Sequence, residues 1–233
     1  MPVSYLDVAG AIEAEGLLTR GAFHPEPADQ VPAASDGRPA ATLVLAGHAG
    51  AGLWPAFSAV APASADPLDD WSRAVFARLA QAFGGWALHP FGSPPYHPFQ
   101  RWAGRAEAVF ASPIGLLIHP VYGLWHGYRG ALALPDRIAI PAREAQPNPC
   151  LTCAAKPCLA TCPVAAFRPG AYDVPACIDH LAKPAGTDCM TQGCRARRAC
   201  PVGQEFIYEP AQAAHHMQAF FARMAARQRS ESG

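Results

Sequence analysis

The sequence has no net charge and no uninterrupted apolar segment. Only 15% of its 233 residues are charged, and 18 basic residues balance 18 acidic ones. A neutral chain without a block of Lys and Arg gives no support for a nucleic acid or an anionic membrane as a partner. The longest apolar stretch, 42–65, is broken by glycines and prolines. It therefore predicts a strand, a turn and a helix rather than a membrane span.

The first residues lack the features of a secretory signal. Asp7, Glu13 and Glu15 interrupt any early apolar run. We therefore expect a cytoplasmic protein, in a compartment that keeps thiols reduced.

Cysteine is absent from most of the chain and concentrated in one short window. All eight lie between positions 150 and 200: Cys150, Cys153, Cys158, Cys162, Cys177, Cys189, Cys194 and Cys200. Thiols confined in this way indicate a local inorganic cofactor rather than scattered disulfides.

The spacing of these cysteines is similar to that of a two-cluster ferredoxin. The bacterial segment reads C-x2-C-x2-C-x3-C-P, and its fourth cysteine binds the other cluster. Here the first half reads Cys150-x2-Cys153-x4-Cys158-x3-Cys162-Pro163, and the second ends in Cys194-x5-Cys200-Pro201. The crossing rule then groups Cys150, Cys153 and Cys158 with Cys200, and Cys177, Cys189 and Cys194 with Cys162. We predict two [4Fe-4S] clusters.

Two other interpretations of the cysteines remain. Structural zinc also takes four cysteines with C-x2–4-C spacing. A disulfide framework takes an even number of cysteines, but it is typical of small secreted domains.

The periodicity outside this window predicts an α+β fold. We expect helices over 4–15, 66–83, 99–109 and 211–227, with Ser4 and Asp66 as N-caps. Strands are expected over 17–23, 41–46 and 86–91, and two more within 115–134, joined near Tyr122. The Gly-rich stretch 47–52 is expected to be a tight turn; it lacks the spacing of a phosphate-binding loop. The predicted domains are 1–140, 141–209 and a C-terminal helix, 210–233.

A second group of chemically useful residues lies at 118–129. It contains His119, Tyr122, Trp125 and Arg129. Imidazole ligates metals or donates hydrogen bonds, and Tyr and Trp offer flat apolar walls for a large planar cofactor. Residue types alone favour a pair of strands with core aromatics and a satisfied histidine.

The run IHPVYGLWHGYRGALALPDRIAIP resembles a stretch of the CblC-type cobalamin-processing proteins, which carry I-H-P-x-[FY]-G-x-W-x-x-x-R-G. The resemblance implies a flavin-reductase/nitroreductase-like α+β domain that binds cobalamin and removes its upper ligand. His119, Tyr122, Trp125 and Arg129 would then contact the corrin or the site around it. A flavin, which CblC-type proteins also bind, is the alternative occupant.

The cysteine window, entered by NPCLTC and continuing through PACIDHL, resembles that of epoxyqueuosine reductases and corrinoid reductive dehalogenases. Their cobalamin domain precedes two [4Fe-4S] clusters in a ferredoxin-like module that feeds electrons to cobalt; the resemblance covers about residues 1–205. The chain departs from the epoxyqueuosine reductases where they place an acidic proton donor, since it has Pro94-Pro95-Tyr96 there. Their tRNA-binding tail is also missing. Epoxyqueuosine reduction is therefore not expected, and Tyr96 becomes the candidate proton donor, as a tyrosine is in the dehalogenases.

Three functional hypotheses follow. The first is an iron–sulfur oxidoreductase that relays electrons from a donor protein or reductase to a small-molecule corrinoid. The second is a ferredoxin-like electron carrier that docks a redox partner and binds no corrinoid. The third is a zinc-stabilised binding module.

Overall fold

The computed structural model describes residues 3–168 and 170–231. The chain divides into two compact units. The first consists of the chain up to Val109 together with His126–Gln146, and the second of Phe110–Trp125 together with the chain from Pro147 onward. The segment Phe110–Trp125 thus belongs to the same unit as the cysteine window.

The elements of both units are mixed α and β, in agreement with the predicted content. The helices are α1 Tyr5–Ala14, α2 Trp54–Ser58, α3 Pro67–Phe83, α4 Phe99–Ala106, α5 Pro149–Thr152, α6 Pro157–Ala160, α7 Val174–Leu181, α8 Thr187–Gln192, α9 Arg195–Arg198 and α10 Pro210–Glu231. The strands are β1 Leu18–Phe23, β2 Thr42–Ala49, β3 Trp86–Leu88, β4 Phe110–Ala111, β5 Leu117–Ile118, β6 His126–Leu134, β7 Phe167–Arg168 and β8 Ala171–Tyr172.

The first unit is built on an antiparallel sheet. Its strand order in the described residues is β1-β2-β6-β3. Every residue of β2 is buried, so both faces of this central strand are covered. One face packs against α1 and α3 through an apolar core that includes Ile12, Val44, Val75 and Leu132.

The two best-defined predicted helices are confirmed. The Ser4 hydroxyl caps α1 by accepting a hydrogen bond from the Asp7 backbone N–H, and the Asp7 carboxylate accepts one from the Ser4 backbone N–H. Asp66 stands at the N-cap position of α3, but its side chain makes no capping hydrogen bond there. Gly84 ends α3 in the left-handed conformation.

The prediction of a tight turn over 47–52 is wrong for its first half. Gly47, His48 and Ala49 continue β2, with a register shift between Ala46 and Gly47. A side chain at Gly47 would place its Cβ 1.9 Å from the Gly127 oxygen. The glycine therefore allows close approach of two strands and does not form a loop.

The expected pair of strands within 115–134 is also corrected. Both strands exist, but β5 pairs with β4 and β6 pairs with β2 and β3. Short-range sequence patterns favour a hairpin, whereas each strand here finds its partner elsewhere in the chain. The segment between them returns on itself through reciprocal backbone hydrogen bonds of His119 and Gly123.

The second unit contains short helices around the cysteines and the long helix α10. The predicted apolar face of α10, formed by Met217, Phe220, Phe221 and Met224, packs against α7 and α8. Ile178 and Cys189 are buried in that contact.

Candidate functional site

Four cysteines from both ends of the window lie together in the second unit. Burial raises the pKa of the Cys150 thiol, and so do the neighbouring thiols of Cys200, Cys158 and Cys153. Burial and the thiols of Cys200 and Cys153 likewise raise the pKa of Cys158. We call Cys150, Cys153, Cys158 and Cys200 site A.

Site A lines a single pocket. Ser112, Lys156 and Val202 are further residues of its wall. The Lys156 ammonium donates to the carbonyl oxygens of Cys150 and Cys153, at 3.2 Å each. This clamp fixes the loop between the first and third cysteines and holds a positive charge beside the thiols.

The other four cysteines form a second group. Burial raises the pKa of Cys194 to about 11, and the thiols of Cys189 and Cys177 act in the same direction. Burial raises the pKa of Cys177, and the thiols of Cys162 and Cys189 add to that rise. We call Cys162, Cys177, Cys189 and Cys194 site B.

Hydrogen-bond donors lie near the sulfurs of both sites. The backbone N–H of Ala166 donates to the Cys162 sulfur at 3.4 Å. Burial raises the pKa of Cys194 and Cys200, and nearby backbone N–H groups of Arg197, Ala196 and Val202 act against it. At site B the Tyr172 hydroxyl likewise opposes the rise in the pKa of Cys177 that burial causes. Such donors stabilise thiolates, the form in which cysteine binds metal.

The thiols of each site stand apart rather than converging on one point. Among the described residues, no three Cys, His, Asp or Glu side chains are close enough to hold a single metal ion. In a cubane each thiolate binds a different iron, so the four sulfurs surround the cluster and do not meet at its centre. Four thiols at each site equal the number of cysteine ligands that one [4Fe-4S] cluster takes.

The loop that carries His119, residues 118–125, packs directly on site A. Ile118 and Leu124 share an apolar cluster with Cys158 and Cys200. Gly123 has φ +56°, and a Cβ there would lie 1.9 Å from the Val202 oxygen. The Cys200–Val202 turn and this loop are thus in contact through their backbones.

The His119 ring has a defined protonation pattern. Its Nδ1 accepts the backbone N–H groups of Val121 and Tyr122, at 3.0 and 3.2 Å. Neutral His119 then carries its proton on Nε2. The ring stacks on Tyr122 with centroids 4.3 Å apart. This tautomer makes His119 a hydrogen-bond donor rather than a metal ligand.

Trp125 lies in the interior of the second unit. Its side chain is fully buried, with the Arg197 guanidinium 4.3 Å from a ring centroid and Tyr208 against its edge. Arg197 also donates twice to the Leu124 oxygen, at 2.9 and 2.6 Å. Trp125 therefore anchors the His119 loop to α9.

Arg129 and Tyr96 belong to the first unit. Arg129 donates to the Ser72 hydroxyl at 2.9 Å, pairs with Asp69 at 2.5 Å and lies over the Phe91 ring. Tyr96 is about half exposed, on the loop before α4.

The first unit contains a buried polar network that the sequence analysis did not predict. Arg20, 1% exposed, pairs with Glu107 at 2.7 Å and donates to the His48 oxygen at 3.0 Å. Tyr128 donates its hydroxyl to Glu107, and burial raises the pKa of that phenol. Arg20 also donates to His126 Nδ1, which leaves the proton of neutral His126 on Nε2.

Ser112, Lys156 and Tyr172 at the thiol sites were also missed. Lys156 and Tyr172 are close to cysteines in sequence, so a search for donors within five residues of each thiol would have found them. Ser112 lies outside the cysteine window, and local sequence carries no signal for it.

The comparisons with known proteins bear on the fold. No family model matches the chain, and no curated protein does. Among solved structures, the chain is similar to an epoxyqueuosine reductase bound to an epoxyqueuosine-modified tRNA-Tyr stem loop. The TM-score is 0.50 and the identity 13%, over 89% of this chain and 69% of the other. A second similar structure is epoxyqueuosine reductase from Bacillus subtilis with its catalytic loop swung out of the active site. Here the TM-score is 0.45 and the identity 16%, over 88% and 69% of the two chains.

The first of these similarities gives the chain a mixed α and β fold of the epoxyqueuosine reductase type. That neighbour is complexed with a nucleic acid, whereas the neutral composition of this chain led us to expect no such partner. Within the described residues, no helix is both long and apolar enough to span a bilayer.

Proposed function

We propose that the chain binds two [4Fe-4S] clusters, at sites A and B, and passes electrons through them to a corrinoid. The observation that carries this proposal is the division of eight thiols into two groups of four, each drawn from both halves of the window. The fold neighbour is a reductase by name, in line with redox chemistry. In finer terms, the proposal takes the first unit as nitroreductase-like and the second as a two-cluster ferredoxin-like module.

The arrangement of the thiols supports clusters over zinc. Tetrahedral zinc needs four sulfurs about 2.3 Å from one ion. Each site takes three thiols from one half of the window and one from the other, as each cluster of a two-cluster ferredoxin does.

The His119 loop supports the electron path to a corrinoid. Its contact with the Cys200–Val202 turn brings the candidate corrin-binding loop against site A. His119 would donate its Nε2 proton to a polar group of the ligand, and Tyr122 would offer an aromatic face. The sequence resemblance also assigns Trp125 and Arg129 to corrinoid binding and Tyr96 to proton donation.

The chemistry balances with one external reductant, an electron-donor protein or reductase. A bound corrinoid supplies a cobalt ion whose bond to its axial ligand weakens on reduction. The electron donor would lose one electron for each electron that the corrinoid gains, and the thiols of sites A and B would hold the clusters that conduct it. The protein conducts the electron and holds the ligand.

The test begins with anaerobic purification, iron and labile-sulfide assays, and titration with hydroxocobalamin. We expect about eight iron per chain and a spectral shift on cobalamin addition. His119→Ala should weaken cobalamin binding by about tenfold, the worth of one hydrogen bond, with unchanged iron. Val121→Ala, at an exposed neighbouring position, is the matched control.

The outcomes separate the hypotheses. Normal iron without a cobalamin response would leave the ferredoxin-like electron carrier, and a response to a flavin instead would identify that cofactor. Zinc without iron would overturn the proposal.

A further inference from the structure

Ser112 occupies an unusual position at the turn between β4 and β5. It is 8% exposed and lines the site A pocket with the four thiols. Its hydroxyl oxygen is buried and has no hydrogen-bond partner among the described residues. A buried hydroxyl without a partner costs about 1–3 kcal/mol, so its retention calls for an explanation.

The backbone of Ser112 is already fully used. Its N–H donates to the Leu116 oxygen at 2.9 Å, and its oxygen accepts from Gly115 at 3.0 Å. These two bonds close the turn and hold the serine against the pocket. Only the hydroxyl, which rotates freely about its C–O bond, is left to bind something.

The other polar groups at site A already have partners. Lys156 is bound to two carbonyl oxygens, and the hydroxyl of Thr152 donates to the Pro149 oxygen at 3.3 Å. The apolar residues Ile118 and Leu124 complete the wall near Ser112. The acceptor that fits this hydroxyl is therefore a sulfur held by the site.

We propose that Ser112 is a positioning residue whose hydroxyl donates a hydrogen bond to a sulfur of the site A cluster and raises its reduction potential. This inference rests on the proposed function. Reduction adds negative charge to the cluster, so a donor stabilises the reduced state more than the oxidised one. At site B the hydroxyl near a thiol is that of Tyr172, beside Cys177.

Anaerobic redox titration followed by electron paramagnetic resonance tests this inference. Ser112→Ala should shift one of the two cluster potentials to a more negative value and leave the other unchanged. Ser112→Thr, which keeps a hydroxyl, should have the wild-type cluster potential. Ser112→Val, which has the shape of the threonine variant but no hydroxyl, should have the more negative potential. Thr152→Ala, which removes a hydroxyl with its own acceptor at the same site, should change neither potential.

The outcomes distinguish a failure of this inference from a failure of the proposed function. If Ser112→Ala assembles poorly, the Thr and Val variants make the same comparison at equal shape. Equal potentials in Thr and Val variants that hold the normal iron would overturn the role of Ser112 and leave the clusters intact. A wild-type protein without iron would overturn the proposed function itself, a distinct outcome.

Discussion

The contact between the His119 loop and the Cys200 turn can be tested with one methyl group. In Gly123→Ala the new Cβ would lie 1.9 Å from the Val202 oxygen, at a residue with φ +56°. The left-handed conformation costs a non-glycine residue about 1–2 kcal/mol. Displacing a backbone carbonyl adds an overpacking cost of about 1–3 kcal/mol. The variant should therefore lose about 2–5 kcal/mol of unfolding free energy.

Gly115→Ala is the matched control in the same segment. Gly115 has φ +80°, and a Cβ there would meet nothing within 4 Å. It carries the conformational cost alone, so it should lose about 1–2 kcal/mol. For a chain of this size the difference between the two variants corresponds to about 2–12 °C in Tm.

Thermal unfolding of both variants, with iron assays on the same samples, gives the measurement. Gly123→Ala should also lose iron from site A, because the clash bears on the turn that carries Cys200. Equal melting temperatures and equal iron contents in the two variants would refute the reasoning.

Three further predictions follow from the geometry. Cys200→Ala should remove about half of the iron, because it removes a ligand of site A alone. Adding Cys150→Ala should remove no more iron, whereas adding Cys194→Ala should remove nearly all of it. Equal iron losses in the two double variants would contradict the thiol grouping. Glu107→Gln should cost about 3–5 kcal/mol in urea unfolding because the Arg20 charge stays buried; Asp36→Asn, in an exposed pair with Arg38, should cost less than about 1 kcal/mol. Because burial raises the pKa of Tyr128 above its ordinary 10.0, the unfolded state releases that proton first, and stability should fall as pH rises through 10. Tyr128→Phe should flatten this alkaline slope in unfolding measured from pH 8 to 11, and an unchanged slope would contradict the assignment.

The local features of this fold could be predicted from the sequence. The cap at Ser4, the apolar stripe of α3 and the apolar face of α10 are short-range patterns, and the structure reproduces them. β3 ends at Leu88, earlier than expected, because proline at 90 has no N–H to donate to the sheet. The predicted grouping of the thiols came from a known spacing rule; the structure places Cys200, Cys158 and Cys153 near Cys150, and Cys189 and Cys177 near Cys194.

The remaining features depend on contacts between distant parts of the chain. Strand patterns at 115–134 could not show that β5 and β6 take different partners. Likewise, the sequence around Ser112 does not predict its position beside the thiols, because the other residues of the pocket include ones some 40 to 90 positions later in the chain. The Arg20–Glu107 pair joins residues 87 positions apart.

The second unit is not a continuous piece of polypeptide. A chain cut at Pro147 would keep all eight cysteines but lose Phe110–Trp125, and with it the Leu124 oxygen that binds Arg197. Transplanting the thiol-rich segment into another protein would thus transfer the ligands without part of the wall that shields them from solvent and oxygen. The intact second unit can be taken from this molecule only as two fragments, or with the whole chain.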